Sequence, residues 1–217
     1  MEHDEDVSTL LKASTEEMGI KLDPKHITMF LEYLEQLLVW NQTINLTSIT
    51  TKKEIVIKHF VDSLVGLRAE PFVHQASVLD VGAGAGFPGI PIKIARPDLK
   101  ITLVEPVKKK VSFLRYVIGS LKLNEIRVHE GTIEQFMGVP GSERSFDYIV
   151  TRALKYDVIM TYCSSLLRKG GKAIFYLSDS VPREALRKDF SIFREYSFEL
   201  PGKLGKRMIA TVSPIDK

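Results

Sequence analysis

The chain has 217 residues, of which 44% are hydrophobic and 26% charged, with a formal net charge of +3 and a pI near 8.8. That length accommodates one full-sized domain with an accessory piece and a sizeable core. No run of 18 apolar residues is present, which excludes a helical membrane span, and the acidic start MEHDEDVSTL lacks the basic-then-apolar order of a secretory signal. Cys163 stands alone, so neither a disulfide framework nor a cysteine-based zinc site is available, and no metal is expected. These features fit a cytoplasmic protein, whose positive balance permits a polyanionic partner without requiring one.

In chain order, Asp23 and Pro24 form a cap and first helical position for an amphipathic helix over 24–38. Ile27, Phe30, Leu31, Leu34, Leu37 and Leu38 supply its apolar face. The stretch WNQTINLTSI reads as a polar connection to a second helical segment over 52–67, so residues 1–70 form a helical N-terminal cap. Beyond Ser77 the texture changes. Short β-rich runs begin near Val78, Ile101, Ile126, Asp147 and Ala173, at intervals of 21 to 26 residues, the spacing of strand–helix–strand units in a parallel sheet. Val107, Val111, Leu114, Ile118 and Leu121 make one helical face between them. EYSFEL and RMIATV, separated by PGKLGK, predict an antiparallel hairpin at one edge. The expected fold class is α/β, a Rossmann-like, doubly wound, mainly parallel sheet over 71–217, preceded by the cap and forming one compact unit.

The first strand runs straight into VLDVGAGAGFPGIP. In doubly wound sheets the loop after that strand lies at the ligand-binding end, and its amides can receive an anionic group. Gly84, Gly86 and Gly89 spell G-x-G-x-x-G, and Glu105 follows Gly84 by 21 residues, so a nicotinamide fingerprint is present. Asp80, two residues before Gly82, makes the fuller pattern D-x-G-x-G-x-G, that of class I methyltransferases that use S-adenosylmethionine. An acid there suits a ligand bearing an ammonium group and is awkward beside a pyrophosphate. Glu105, ending the second strand before Pro106, can accept both hydroxyls of a ribose.

Taken with WNQTINLTSI, KHFVDSL, LVEPVKKKVSFLR and FDYIVTRA, the loop DVGAGAGFPGIPI resembles the bacterial RsmG (GidB) family, from about Trp40 to Ala153. Those enzymes methylate N7 of a guanine in small-subunit ribosomal RNA. The resemblance implies S-adenosylmethionine contacts from Asp80, Gly82, Gly84, Gly86, Phe87 and Glu105, and an adenine-flanking turn at Thr132, Ile133 and Glu134. It places Arg152 beside the methyl group and the target base, as the catalytic residue. It also makes Asn45, His59, Asp62 and Ser63 family elements that close over the cofactor side, with Asn45 and His59 towards the RNA. Two departures stand out. Thr132 occupies a position where the family has arginine, and YLSDS replaces its Lys-Gly at the end of strand five.

The chemistry agrees with the resemblance. The sequence lacks the Asn/Asp-Pro-Pro-aromatic signature of adenine amino methylation. Cys163 lies in a helical stretch without the Pro-Cys setting of a pyrimidine C5 nucleophile. Guanine N7 loses no proton on methylation, so alignment suffices, and holding both partners contributes roughly 7–11 kcal/mol in good cases. Arg152 stays protonated and can offer a planar fork to guanine O6 or a phosphate. RNA contact is expected from Lys108, Lys109 and Lys110, with Lys52, Lys53, Arg183, Arg187, Lys188, Lys203, Lys206 and Arg207 as further cations. The implied partner is small-subunit ribosomal RNA, as ribonucleoprotein, with the enzyme acting as a monomer. Alternative readings are a small-molecule methyltransferase on the same core and a cofactor-binding RNA module without catalysis.

Overall fold

A computed structural model describes residues 4–152, 156–178, 180–181 and 186–215; Ala153, Asp179 and Arg183, named above, lie outside the described residues. Helix α1 (Asp4–Glu17) is followed by α2 (Pro24–Ile44), whose first position is the proline that needs no intrahelical N–H. The helix runs beyond the expected Leu38. Trp40 and Ile44 pack partly buried against the same core as Leu37, so the 3.6-residue stripe continues through the polar-looking WNQTI. Asn45 ends it in the left-handed conformation, φ 50°, and Asn41 Oδ1 accepts the Thr47 N–H at 2.9 Å to turn the chain.

The second helical segment is composite: α3 (Lys52–Ile55), a π-type turn over Val56–Val61, and α4 (Asp62–Ala69). Thr51 caps it by accepting the Glu54 N–H at 3.3 Å. A π-type insertion rotates the face of a helix and is frequent at functional sites. Here it contains His59 and ends at Asp62, both of which line one cavity.

The strands are β1 (Ser77–Val81), β2 (Lys100–Glu105), β3 (Ile126–Glu130), β4 (Phe146–Thr151), β5 (Leu167–Leu177), β6 (Phe190–Glu199) and β7 (Lys206–Pro214), in the order β3-β2-β1-β4-β5-β7-β6. The first five are parallel, and β7 runs antiparallel between β5 and β6, which is the expected edge hairpin. Strand β5 starts at Leu167, directly after helix α8 (Tyr156–Leu166), earlier than the apolar run AIFYL indicates. Helices α5 (Gly89–Ala95), α6 (Lys108–Ser120) and α7 (Ile133–Met137) complete the crossovers.

Side chains alternate across the sheet, so each face has its own core. Val78, Ile101, Leu103, Val150 and Ile174 point to the face that also buries Phe30, Tyr33, Leu34 and Leu37 of α2. Leu79, Val81, Val104, Ile149 and Phe175 point to the other, against Ile159, Met160 and Cys163 of α8. Burying each such side chain stabilises by roughly 1.5–3 kcal/mol, so the N-terminal helices and the sheet are joined through shared apolar surface. Strand order reverses between β1 and β4, and the carboxyl ends of these two strands are where this fold binds ligands.

Candidate active site

The glycine loop leaves β1 with Gly82 and Ala83 N–H groups bonded to the Val104 carbonyl, at 2.9 and 3.1 Å. Gly84 then takes φ +60°, which side-chain-bearing residues rarely adopt, and its N–H donates to Glu105 Oε2 at 2.8 Å. Glu105 is buried, and its Oε1 accepts the Val107 N–H at 2.9 Å, so one carboxylate ties the loop to the end of β2. Between these elements and α7 lies a cavity of about 370 Å³, lined by Gly82, Gly84, Glu105, Lys110, Thr132, Ile133 and Glu134. Val81, Val104, Pro106 and Val158 supply further apolar wall. An apolar slot with an acidic group at one end fits a nucleoside whose ribose meets Glu105 and whose base lies against Ile133 and Val158.

Asp80 is fully buried beneath this loop, accepting the Gly89 N–H at 2.8 Å through Oδ2. A Cβ on Gly89 would stand 2.5 Å from Leu103 Cδ2 and 2.7 Å from Asp80 Oδ2, so that glycine is required for the approach. Among the described residues Asp80 Oδ1 has no hydrogen-bond partner. Burial pushes the carboxyl up to about 7, against the opposing Gly89 bond and the Arg152 charge. A buried acceptor left unmatched beside a ligand loop fits a donor-bearing ligand group such as an ammonium.

On the other side of the loop is a second cavity, of about 330 Å³, lined by Lys58, His59, Asp62, Arg152, Tyr176, Ser178 and Arg207 among others. Thr151 Oγ1 donates to the Val81 carbonyl at 2.9 Å, which pins the end of β4 to the end of β1. Val81 lines the first cavity and Arg152 the second, so the two adjoin at the switch point. Arg152 donates through Nη1 to the Lys58 carbonyl at 3.2 Å and to Asp62 Oδ2 at 3.4 Å. Its Nη2 lies 3.0 Å from His59 Nδ1, and its guanidinium sits 4.9 Å over the Phe87 ring. Arginine only donates, so Nδ1 is the acceptor and the His59 proton resides on Nε2, which donates to Thr47 Oγ1 at 2.8 Å. Burial first, and the Arg152 charge second, push His59 down to about 3, and the ring is neutral at ordinary pH. Burial raises Asp62 above the usual carboxylate range, with Arg152 and Arg207 opposing.

Of the residues expected at the cofactor, Gly82, Gly84, Glu105, Thr132, Ile133 and Glu134 share one cavity. Asp80 lies under its floor. Gly86 and Phe87 do not line it. A Cβ on Gly86 would meet Ile90 and the Tyr33 hydroxyl, which donates to the Ala85 carbonyl, so this glycine serves packing. Phe87 is buried and stacks on His59 at 4.5 Å between ring centroids, forming the partition beneath Arg152. Thr132 caps α7, its Oγ1 accepting the Gln135 N–H at 3.4 Å while Gln135 Oε1 accepts the Thr132 N–H at 2.9 Å.

Lys110 lines the glycine-loop cavity, whereas Lys108 and Lys109 are exposed at the start of α6. His59 and Asp62 line the Arg152 cavity rather than the glycine-loop cavity, and Asn45 is the exposed cap of α2. The departing residue Ser178 also lines the Arg152 cavity. Lys52 is engaged by Glu35 at 2.8 Å and Arg187 by Asp189 at 2.9 Å, so neither is an open cation. Lys58 and Tyr176 were not singled out from the sequence. Tyr176 sits in a strand reading as plain core, and its hydroxyl donates to the Ser63 carbonyl at 2.7 Å. A larger cavity, about 460 Å³, opens at the amino ends of the strands, away from the glycine loop. Among the described residues no cluster suits a metal ion, and no helix is long and apolar enough to cross a membrane.

Comparison with known proteins agrees with this geometry. The family model described as rRNA small subunit methyltransferase G matches residues 26–206. The protein named Ribosomal RNA small subunit methyltransferase G of Geobacillus thermodenitrificans is 34% identical over 218 residues, covering 97% of this chain and 92% of that protein. Its namesake from Desulforamulus reducens is 39% identical over 178 residues, covering 82% and 73%. Among solved structures, a predicted O-methyltransferase from Agrobacterium tumefaciens shares the fold with a TM-score of 0.57 at 17% identity, over 72% of this chain and 82% of that one. The ribosomal protein L11 methylase of Lactobacillus delbrueckii subsp. bulgaricus does so with a TM-score of 0.54 at 18% identity, over 73% and 79%. With its sheet order, glycine loop and family match together, the chain belongs to the ribosomal RNA small subunit methyltransferase G family of methyltransferases.

Proposed function

We propose that the protein methylates N7 of a guanine in small-subunit ribosomal RNA, the first cavity holding the cofactor and the second the acceptor base. The methyl donor is S-adenosylmethionine, whose sulfonium supplies an activated methyl group. Gly82, Gly84, Glu105, Ile133 and Glu134 would hold it, and Asp80 would meet its ammonium end. The observation that carries the acceptor assignment is the state of His59. A general base needs an available lone pair and a pKa near the working pH. His59 has Nδ1 occupied by Arg152, Nε2 spent on Thr47, and basicity pushed down to about 3. His59 therefore takes no proton from the acceptor, which suits guanine N7, an atom that surrenders none.

The contribution of the chain is then orientation. Arg152, held by three partners and backed by Phe87, presents fixed positive charge to the base and its phosphate. Arg207 lines the same cavity, with Lys206 in the adjoining depression, and together they favour a polyanion, whereas Lys58 is engaged by Glu54 at 2.6 Å. The net charge of only +3 makes an assembled ribonucleoprotein a better substrate than naked RNA, with a monomeric enzyme acting in the cytoplasm. The test uses small-subunit particles from cells lacking the protein. Labelled methyl should enter RNA as N7-methylguanosine at one nucleotide, and Arg152→Ala should cut the rate at least about a hundredfold while keeping S-adenosylhomocysteine affinity by calorimetry. Label found only in small metabolites would refute the reading, and lost cofactor binding in the variant would refute the role of Arg152.

A further inference from the structure

Among the described residues, one buried side-chain acceptor belonging to the lining of the Arg152 cavity has no hydrogen-bond partner. The Tyr176 hydroxyl, both ring nitrogens of His59 and both terminal nitrogens of Arg152 are already bonded inside the protein. Asp62 is 4% exposed and lines the cavity, and among the described residues its Oδ1 has no hydrogen-bond partner. Arg207 Nε stands 3.8 Å from that oxygen, beyond hydrogen-bonding range, and the bond from Arg152 to Oδ2 is long at 3.4 Å. Burying a carboxylate with an unmatched oxygen is costly, and such a group persists where a ligand supplies the missing donor.

Resting on the acceptor reading above, we propose that Asp62 selects guanine, its carboxylate accepting the N1–H and the exocyclic amino group of a base turned out of its stack into the cavity. Those two donors lie parallel on one edge of guanine and match the two oxygens of a carboxylate. Adenine has an acceptor at N1 and no amino group at C2, so the same carboxylate repels it and is left unpaired. The geometry also suits the reaction. An arginine fork closing on O6 and N7 would occupy the lone pair that must accept the methyl group, whereas recognition at the opposite edge leaves N7 clear. Arg207 has a side chain 31% exposed and belongs to the surface hairpin, so its displacement uncovers Oδ1 without opening the core.

The experiment compares reconstituted small-subunit particles whose target nucleotide is guanosine or inosine, which keeps N7, O6 and N1–H and lacks only the amino group. Wild type should favour guanosine about tenfold or more in kcat/KM and in Kd measured with S-adenosylhomocysteine present, the scale of one lost bond to a charged group. In Asp62→Asn, which keeps shape and one acceptor, the ratio should fall to within about threefold; Asp62→Ala should behave alike. The ratio is internal to each variant, so a partly misfolded protein leaves it interpretable. Equal methylation of both particles by wild type, or an unchanged ratio in Asp62→Asn, overturns the assignment while leaving the acceptor reading intact. Methylation of neither particle by wild type overturns the acceptor reading and this assignment with it.

Discussion

Replacing Asp80 by Asn should make the protein less sensitive to rising pH while preserving its fold. The Asn amide oxygen can still accept the Gly89 N–H that Asp80 Oδ2 takes at 2.8 Å, so the local hydrogen bond survives. What changes is ionisation. The carboxyl rises from 3.8 to about 7 on burial. The native state therefore keeps its proton across a range in which the unfolded chain loses it, and wild-type stability falls as pH rises from about 4 to about 7. A rise of that size corresponds to roughly 4 kcal/mol in total. About 2–3 kcal/mol of it falls between pH 5 and pH 8, because ionisation of the unfolded chain is already under way at pH 5. Urea unfolding followed by circular dichroism at both pH values, without cofactor, measures this directly. Relative to wild type, Asp80→Asn should gain about 2–3 kcal/mol on going from pH 5 to 8. His59 and the other titrating groups are common to both proteins and cancel in the comparison. Wild-type and variant curves that stay parallel across this range would show that Asp80 is ionised in the folded, ligand-free protein, and the argument from burial would fail.

Two further outcomes follow from the same geometry. His59 ring signals in NMR should stay flat from pH 5 to 8. Its folded pKa lies near 3, so stability should fall as pH drops from about 6.5 towards 3, a loss that His59→Gln would lack; a midpoint near 6.5 in the folded protein would refute the assigned tautomer and its Arg152 bond. Gly89→Ala places a methyl group 2.5 Å from Leu103 Cδ2 and 2.7 Å from Asp80 Oδ2. It should cost about 1–3 kcal/mol in denaturant unfolding, and a neutral effect would show the loop has room to spare.

The sheet was legible because its signal is local: five apolar β-rich runs at even spacing, all but the edge strand β3 largely buried, leave little choice of architecture. The hairpin was legible for the same reason. The extent of α2 was not, because Asn41, Gln42 and Thr43 are polar, and only the packing of Trp40 and Ile44 shows that the stripe continues. The start of β5 was hidden by RKGG, residues that read as a turn and form an irregularity between the Phe146–Leu167 and Tyr148–Lys172 pairs. At the site, motif spacing found Gly82, Gly84 and Glu105 because the chain itself brings them together across adjacent strands. It could not separate Gly86, which is small for packing against Tyr33, from glycines that are small for a ligand. Nor could it find Lys58 or Tyr176. Their roles arise where the π-type turn, the end of β5 and the end of β4 meet, and no local pattern encodes that meeting.

The two cavities differ in how much of the chain each needs. The cofactor cavity draws its lining from residues 81 to 134, with Val158 added from α8. The wall of the Arg152 cavity begins at Ile49, between α2 and α3, and finishes at Arg207 on the last strand. During synthesis the lining of the first can therefore be fully translated while the second still lacks a wall. Loss of β7 would remove that last part of the wall together with a strand that lies between β5 and β6. The cavity proposed to receive the base is thus complete only when both ends of the polypeptide have found their place.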